Sequence, residues 1–256
     1  MIKAVFIDVD GTLLSHRSKS VPESATKAIA RLRENGVLAF ISTGRHPIEL
    51  ALLPIDISGY DGYVYMNGQY NEYQGQIVST YPIVGKQKEE LLAAFANNKE
   101  YPIVIYEMKK HYTNIINDYL TIGQQMVNSP IPKIGKYAGG NVFQAVIYGP
   151  IGHEDKFKEL LPSCDFTRWN DYGVDILTIK DGKGKGIRDI LDYLNIDKSE
   201  TLCIGDNDND LEMFKACGIK VAMGNSIDPI KEIADYVTAD VDDDGLAKAL
   251  EHYGLI

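Results

Sequence analysis

The chain carries the same arrangement near both of its ends: a short apolar run that closes with an aspartate and leads into a stretch of helical periodicity. The first run is KAVFID at 3–8, and the second is TLCIGD at 201–206. Continuous apolar runs are typical of strands buried on both faces, as in a parallel sheet covered by helices. The arrangement therefore predicts an α/β fold built on a doubly wound, Rossmann-like and mostly parallel sheet.

The segments around these runs complete that pattern. Residues 20–36 (SVPESATKAIARLRENG) have the apolar spacing of a helix, with Ser20 and Glu23 in capping-box spacing at its start and Gly36 at its end. The same reasoning predicts strands at 37–42, 61–68 and 219–224, and helices at 186–194, 210–218 and 245–253. The two ends of the chain are thus expected to form two halves of one sheet.

The middle of the chain has a different character. Helical patterns occur at 88–98 and 155–161, extended runs occur at 101–107, 142–149 and 174–180, and residues 129–140 are rich in proline and glycine. This composition predicts a smaller α+β domain inserted into the first. We expect residues 1–82 and 182–256 to form the core and residues 83–181 to form the insert.

Composition excludes several classes of partner. The 256 residues carry a formal net charge of -10, which leaves no broad basic surface for a nucleic-acid backbone. No stretch approaches the roughly 20 apolar residues of a membrane span, and the start of the chain lacks the apolar core of a signal peptide. Three cysteines and five scattered histidines indicate neither a disulfide framework nor a zinc site. We expect a cytoplasmic protein.

Polar residues follow the carboxyl ends of the predicted strands, which is where ligands bind in doubly wound sheets. Asp8 and Asp10 follow the first strand, STGR (42–45) follows the second, and GDNDND (205–210) ends the strand after the insert. Carboxylates placed together repel one another unless a hard cation lies among them, and oxygen ligands without histidine or cysteine fit Mg²⁺.

Each of these motifs has a simpler explanation when taken alone. DVDGT (8–12) could be a calcium-type turn or a plain exit from a strand, and STGR could be a tight turn that starts a helix. GDNDND could be a solvated acidic loop, and the lysines of KDGKGKG (180–186) could be surface charges. The functional interpretation depends on the set, in this order, with each motif at the end of a strand or helix.

As a set the motifs resemble the haloacid dehalogenase (HAD) superfamily of phosphatases, and within it the Cof-type branch (subfamily IIB), which carries an inserted C2-type α/β cap. The resemblance covers nearly the whole chain. It depends on DVDGT (8–12), STGR (42–45), MNG (66–68), KGKG (183–186), GDNDND (205–210), VAMGNS (221–226) and DVDDDG (240–245). These motifs identify the superfamily and the branch, whereas they do not identify a substrate.

The resemblance implies catalytic roles. Asp8 would be the nucleophile that becomes an aspartyl phosphate, and Asp10 would be the general acid that protonates the leaving alcohol and then the base that activates water. Thr43 and the Gly44 amide would bind the transferring phosphoryl oxygens, and Lys185 would neutralise their charge. We choose Lys185 over Lys180 and Lys183 because it directly precedes the helix expected to start at Gly186.

The resemblance also implies a Mg²⁺ site and a substrate side. The metal would be held by the Asp8 and Asp206 carboxylates and by the Asp10 backbone carbonyl, with Asp210 and Asn209 completing the shell directly or through water. Residue chemistry adds candidates for the substrate side, namely Arg45, Asn67 and Asn225, although Arg45 could equally anchor its own loop.

These inferences predict a Mg²⁺-dependent phosphatase that acts on phosphomonoesters of small metabolites, in a monomer or small homo-oligomer. One alternative is a sugar phosphomutase of the same fold. Another is a non-catalytic phospho-aspartate receiver or binding protein, although receivers are about half this length and lack both the second carboxylate and the insert.

Overall fold

The computed structural model describes residues 1–127, 129–177 and 181–256. The strands are β1 (Ala4–Ile7), β2 (Leu38–Ser42), β3 (Gly62–Tyr65), β4 (Tyr70–Tyr73), β5 (Gln76–Thr80), β6 (Ile103–Glu107), β7 (Lys110–Thr113), β8 (Gln144–Tyr148), β9 (Asp165–Arg168), β10 (Gly173–Leu177), β11 (Thr201–Gly205), β12 (Ile219–Ala222) and β13 (Tyr236–Val237). The helices are α1 (Glu23–Glu34), α2 (Pro47–Leu50), α3 (Gly85–Asn97), α4 (Asp118–Met126), α5 (Glu154–Leu160), α6 (Gly182–Leu194), α7 (Leu211–Ala216), α8 (Asp228–Ile233) and α9 (Gly245–His252).

The chain forms two compact units, and the second is inserted in the sequence of the first. One unit comprises Met1–Thr80 together with Asp181–Ile256, and the other comprises Tyr81–Lys180. Within the ranges that the structure describes, no helix combines the length and the apolar character needed to cross a membrane.

The discontinuous unit contains an eight-stranded sheet in the order β13-β12-β11-β1-β2-β3-β4-β5. Strands β13 to β3 in this order pair in parallel, and β4 and β5 add an antiparallel edge. The predicted α/β class and the mostly parallel sheet are therefore confirmed. Strand β1 lies in the interior of the sheet between β11 and β2, and all four of its residues are buried.

Helix α6 covers one face of this sheet. Its residues Ile187, Ile190 and Leu191 are buried in the same apolar cluster as Phe6 of β1 and Phe40 of β2, whose rings stack 4.8 Å apart. Because α6 leads into the parallel strand β11 and packs along the sheet, it runs against the strand direction. The amino end of α6 is therefore placed at the carboxyl ends of the strands.

Two predicted helix starts are wrong. Helix α1 begins at Glu23 with Pro22 as its N-cap and without a side-chain cap, so the Ser20–Glu23 capping box does not form. Helix α6 begins at Gly182 and not at Gly186. This earlier start places Lys183 in the first helical turn.

The inserted unit contains a five-stranded antiparallel sheet in the order β7-β6-β8-β10-β9. Alternate residues of β6 face opposite sides, with Ile103 and Ile105 packed in a cluster that includes α3 and α5, and Val104 and Tyr106 packed with Leu120 of α4. The predicted α+β insert, which corresponds to a cap, is thus confirmed.

Candidate active site

Asp8 follows β1 directly and lies at the carboxyl edge of the sheet. Its backbone N–H donates to the Ile204 carbonyl at 3.0 Å, which continues the ladder between β1 and β11, and the residue is only 4% exposed. Asp206 follows β11 in the same way and is 7% exposed. Two adjacent parallel strands therefore deliver two buried carboxylates to one place, as expected from their position in the sequence.

Asp210 joins them to form a cluster of three acidic side chains. One carboxylate oxygen from each of Asp8, Asp206 and Asp210 lies within 4.8 Å of the others. Two like charges at that separation repel each other by about 3 kcal/mol in a medium of effective dielectric constant near 20. An arrangement of this kind requires positive charge to balance it.

Lys183 supplies part of that charge. Its Nζ lies 2.5 Å from Asp8 Oδ1 and 2.7 Å from Asp210 Oδ1, and its side chain is fully buried. Burial alone would lower the pKa of Lys183, but the attraction of Asp210 and Asp8 outweighs it and raises the pKa above the ordinary lysine value. The ammonium group is therefore held charged between two carboxylates.

The prediction that placed Lys185 in this position needs correction. Lys185 forms an ion pair with Asp189, one turn further along α6. Residues two positions apart point to nearly opposite sides of a helix, so Lys183 and Lys185 cannot both face the carboxylates. The third candidate, Lys180, lies outside the described residues.

Asp210 is braced by its own loop as well as by Lys183. Its Oδ2 accepts the backbone N–H groups of Asp206 at 2.9 Å and Asn207 at 3.1 Å. Both oxygens of Asp210 are thus engaged by the protein. The arrangement fixes the turn that carries Asp206.

The remaining two carboxylates show the electrostatic strain of the cluster. Burial, together with Asp210, raises the pKa of Asp8 well above its ordinary value, and Lys183 opposes this rise only in part. Burial and Asp210 also raise the pKa of Asp206 to about 7, against a hydrogen bond from Thr12. Both groups bind a cation or a proton readily when nothing else occupies the cluster.

The residues present fit a divalent cation. Three buried carboxylates face one ammonium group, which leaves an excess of negative charge among oxygen ligands. Oxygen-only donor sets of this type suit Mg²⁺. Asp8 and Asp206 are the better candidates for direct ligands, because both oxygens of Asp210 already have partners within the protein.

Asp10 lies outside this cluster and is paired with Arg45. The guanidinium donates from Nε to Asp10 Oδ2 at 2.6 Å and from a terminal nitrogen to Oδ1 at 2.7 Å. This two-bond geometry is the strong form of the contact, and it raises the pKa of Arg45 although burial acts in the other direction. Arg45 therefore contacts the predicted acid and base, and its contact with substrate stays a prediction.

The loop after β2 presents Thr43 beside Gly44. Thr43 is buried, and its hydroxyl accepts the Arg45 backbone N–H at 3.1 Å. Ser42, the neighbour in the strand, is also buried, but its hydroxyl has no hydrogen-bond partner among the described residues. Asn67 approaches Gly44 closely, since a Cβ added at Gly44 would lie 3.2 Å from Asn67 Oδ1.

Asn67 occupies an unusual backbone conformation. Met66 (φ 51°), Asn67 (φ 53°) and Gly68 (φ 86°) form three consecutive residues in the left-handed region, directly after β3. Such conformations are uncommon for residues other than glycine. The turn is braced by the Asn67 N–H, which donates to the Thr43 carbonyl at 3.0 Å.

Two further predicted residues make contacts other than those expected. The Asn209 amide nitrogen lies 3.5 Å from Asn67 Oδ1, so its described partner is an amide and not a carboxylate of the cluster. Asn225 donates from Nδ2 to the Gly11 carbonyl at 2.7 Å and accepts the Val241 N–H at 3.0 Å. The Asn225 side chain thus bridges two backbone segments, and its contact with substrate stays a prediction.

Sequence reasoning missed two members of the site. One is Lys183, whose position depends on where α6 begins. The other is Thr12, whose hydroxyl donates to Asp206 Oδ1 at 3.0 Å across 194 residues of sequence. The signal for Thr12 was its place in DVDGT, because a hydroxyl two residues beyond Asp10 can reach the neighbouring strand end.

Comparison with known proteins gives consistent results over the full chain. The model of a family described as haloacid dehalogenase-like hydrolase matches residues 5–250. The Bacillus subtilis (strain 168) protein YkrA is 30% identical over 256 residues, which cover 99% of this chain and 98% of YkrA.

Other relatives have named substrates. The 5-amino-6-(5-phospho-D-ribitylamino)uracil phosphatase YitU of Bacillus subtilis (strain 168) is 27% identical, with 97% of this chain and 96% of YitU covered. The solved structure of BT4131, a HAD subclass IIB sugar phosphatase, superposes with a TM-score of 0.85 at 30% identity, covering 99% of this chain and 100% of that one.

Proposed function

Because the chain belongs to the haloacid dehalogenase-like hydrolases, and within them to the Cof-type phosphatases, we propose that it hydrolyses phosphomonoesters of small metabolites with Mg²⁺ through an aspartyl phosphate on Asp8. One observation carries this proposal. Asp8 is a buried carboxylate at the carboxyl end of a central strand, with Lys183 on one of its oxygens and two further carboxylates beside it.

In the first step one oxygen of Asp8 attacks phosphorus while Lys183 holds the other oxygen. The bond from phosphorus to the alcohol oxygen breaks, and the departing oxygen takes a proton from Asp10. Arg45 engages both oxygens of Asp10. It therefore has to release one of them before Asp10 can carry and donate that proton.

In the second step water attacks the phosphorus of the aspartyl phosphate. Asp10 removes a proton from the water, the bond between phosphorus and Asp8 breaks, and inorganic phosphate leaves. Thr43 and the Gly44 N–H donate hydrogen bonds to the phosphoryl oxygens, and Lys183 balances their negative charge.

A bound Mg²⁺ would add positive charge beside the phosphoryl group, held by Asp8 and Asp206 with the Asp10 carbonyl. Asp210 would support the site by fixing Lys183 and the turn that carries Asp206.

The names of two relatives support a proposal about the class of substrate. YitU is named for a phosphorylated ribityl compound and BT4131 for sugars, and both names describe esters of polyhydroxylated carbon chains. We therefore place the substrate of this chain among small polyhydroxylated phosphomonoesters. Discrimination among them is assigned to the inserted unit, since the residues of the site described above serve the phosphoryl group.

The test is phosphate release by the purified protein from an aryl phosphate and from a panel of sugar, polyol, cofactor and nucleotide phosphates. We expect activity with Mg²⁺, loss of activity with EDTA, and loss of activity in Asp8→Asn. Asp208→Asn is the matched control, because it removes an exposed carboxylate from the GDNDND loop. An active Asp8→Asn variant contradicts the mechanism, and a rearranged sugar phosphate without free phosphate supports the phosphomutase alternative.

A further inference from the structure

Residues 10–15, which we call the Asp10 loop, contact the carboxylate cluster through Asp206. Thr12 donates to Asp206, and Gly11 lies so close to Asp206 that an added Cβ would be 2.3 Å from its Oδ2. Gly11 has a φ of 89°, where side chains are strongly disfavoured. Since glycine has little conformational restriction of its own, the backbone next to Asp10 depends on hydrogen bonds to fix it.

Two motifs near the end of the chain provide such bonds, although neither contributes a residue to the carboxylate cluster. Asn225 of VAMGNS donates to the Gly11 carbonyl at 2.7 Å. Its other amide atom accepts the N–H of Val241, which belongs to DVDDDG. The Asn225 side chain therefore connects the Asp10 loop to the second motif.

The two motifs pack closely because each contains a glycine. The Gly224 N–H donates to the Ala239 carbonyl at 2.9 Å, and a Cβ at Gly224 would lie 2.6 Å from the Asp240 nitrogen. A Cβ at Gly245 would lie 2.1 Å from the Ala239 oxygen. Any side chain at these two positions would push the segments apart and move Asn225.

DVDDDG also binds the far end of the Asp10 loop. Ser15 is fully buried, and its hydroxyl donates to Asp242 Oδ1 at 2.6 Å. Arg17 Nε lies 3.0 Å from the other oxygen of Asp242. The loop that begins with the proposed proton donor is thus bound near its start by Asn225 and at its end by Asp242.

We propose that Asn225 and Asp242 form a clamp that positions Asp10 for proton transfer. This inference rests on the proposed function, because it assigns the clamp to the step in which Asp10 protonates the leaving alcohol. Both are positioning residues. Asn225 acts through the Gly11 carbonyl, one residue from Asp10, and Asp242 acts through Ser15.

The variant Asn225→Asp breaks the key bond with little change in shape. The new carboxylate can still accept the Val241 N–H, but it places an oxygen without a proton beside the Gly11 carbonyl. Asn225 is exposed, so the substitution opens no cavity in the core. The matched control is Asn35→Asp, since Asn35 also donates from Nδ2 to a backbone carbonyl distant in sequence, that of Leu255 at 2.9 Å, and no residue of the proposed site is its partner.

The readout is kcat/KM for two classes of ester, because a poor leaving group needs the proton from Asp10 more than a good one does. We expect Asn225→Asp to lower kcat/KM by about tenfold or more for an alkyl phosphate and by less than about threefold for 4-nitrophenyl phosphate. A purely structural defect reduces the amount of active enzyme and lowers both values by the same factor. Equal losses on the two esters, or a variant indistinguishable from Asn35→Asp, overturn the clamp.

A second variant tests whether the two residues act together. Asp242→Ala, which removes the acceptor of the Ser15 hydroxyl, should also lower alkyl phosphate turnover selectively. Its effect should be less than additive with that of Asn225→Asp, because both act on one loop. If the losses of the two variants are fully additive in the double variant, the two residues do not share one role.

The same assay separates the clamp from the proposed function. If the wild-type protein releases phosphate from neither ester, both the proposed function and the clamp fail. If the wild type is active and the variants lose activity equally on both esters, only the clamp fails.

Discussion

Lys183 lies 175 positions from Asp8 in the chain, yet its Nζ is 2.5 Å from Asp8 Oδ1 and 2.7 Å from Asp210 Oδ1. The ammonium group is the positive charge that the described part of the chain places on the cluster of Asp8, Asp206 and Asp210. This relationship determines which lysine should matter for activity and how the cluster should respond to metal.

Lys183 and Lys185 form a natural pair for mutation. Replacing Lys183 with methionine removes the charge that faces Asp8, and we expect kcat to fall by about 10²–10³-fold, as for other groups that stabilise developing charge. The equivalent change at Lys185 removes a partly exposed ion pair with Asp189, so activity should stay within about twofold of wild type. Steady-state kinetics of both variants on one aryl phosphate measures these two effects. A larger loss of kcat in the Lys185 variant than in the Lys183 variant would support the assignment of Lys185 that was made from the sequence.

Metal binding should stabilise the folded protein measurably. A ligand at about one hundred times its dissociation constant adds about 2.7 kcal/mol, which for a protein of this size corresponds to a rise in Tm of about 5–10 °C. We expect this rise when Mg²⁺ is added to EDTA-treated wild type and expect Asp206→Asn to show little of it. Differential scanning fluorimetry tests both, with Asp208→Asn as the variant that should keep the full response; an undiminished shift in Asp206→Asn contradicts its role as a ligand.

The metal-free protein should show a pH dependence that comes from Asp206. Burial and Asp210 raise the pKa of this carboxyl to about 7, above its ordinary value of 3.8. Between these values the folded state keeps a proton that the unfolded state has released, so stability falls as pH rises through this window. Asp206→Asn lacks this group, and its advantage in Tm over wild type should grow from about pH 5 to about pH 8 in EDTA. If the difference in Tm between Asp206→Asn and wild type does not change with pH, Asp206 is excluded as the source of the pH dependence.

Ser42 and Thr43 provide a test of which hydroxyl serves the phosphoryl group. Thr43→Ala should lower activity by about tenfold or more, because it removes a proposed donor to the phosphoryl oxygens. Ser42→Ala removes a buried hydroxyl that has no hydrogen-bond partner among the described residues, so it should leave activity unchanged and raise the free energy of unfolding by up to about 1 kcal/mol. Urea unfolding and kinetics measure the two effects. A loss of activity in Ser42→Ala with no loss in Thr43→Ala would show that Ser42, and not Thr43, binds the phosphoryl group.

The part of the site that sequence predicts well is the part that follows from strand topology. The apolar runs before Asp8 and Asp206 become adjacent parallel strands, and parallel strands bring their carboxyl ends to one edge. The convergence of these two aspartates therefore needed only the correct identification of two strands.

Lys183 was not predictable in the same way, because the helix that carries it has an unfavourable local sequence. Three glycines in GKGKG disfavour a helix in isolation, yet α6 includes all of them. Tertiary packing explains their presence: a Cβ at Gly184 would lie 2.4 Å from the Glu212 carbonyl, and one at Gly186 would lie 2.2 Å from Asn71 Oδ1. The glycines allow close approach of neighbouring segments, and that approach is not visible from local propensity.

The contacts of Arg45 and Asn225 were unpredictable for a related reason. Residue chemistry indicated that both side chains could bind a polar ligand, and the structure shows polar partners within the protein, Asp10 for Arg45 and two backbone groups for Asn225. A single sequence specifies what a side chain can bind, whereas the choice between substrate and protein depends on long-range packing.

Phosphorylation of Asp8 during turnover can be detected by chemical trapping of the aspartyl phosphate. In Asp10→Asn an aryl phosphate can still transfer its phosphoryl group because the leaving group is good, but activation of water is lost, so the aspartyl phosphate should accumulate. Acid quenching and borohydride reduction convert such an acyl phosphate to homoserine, which fragmentation of the tryptic peptide 4–17 locates. We expect homoserine at position 8 and none at position 10. An active wild-type enzyme whose Asp10→Asn variant yields no homoserine at position 8, or carries the phosphoryl group on another residue, excludes Asp8 as the nucleophile.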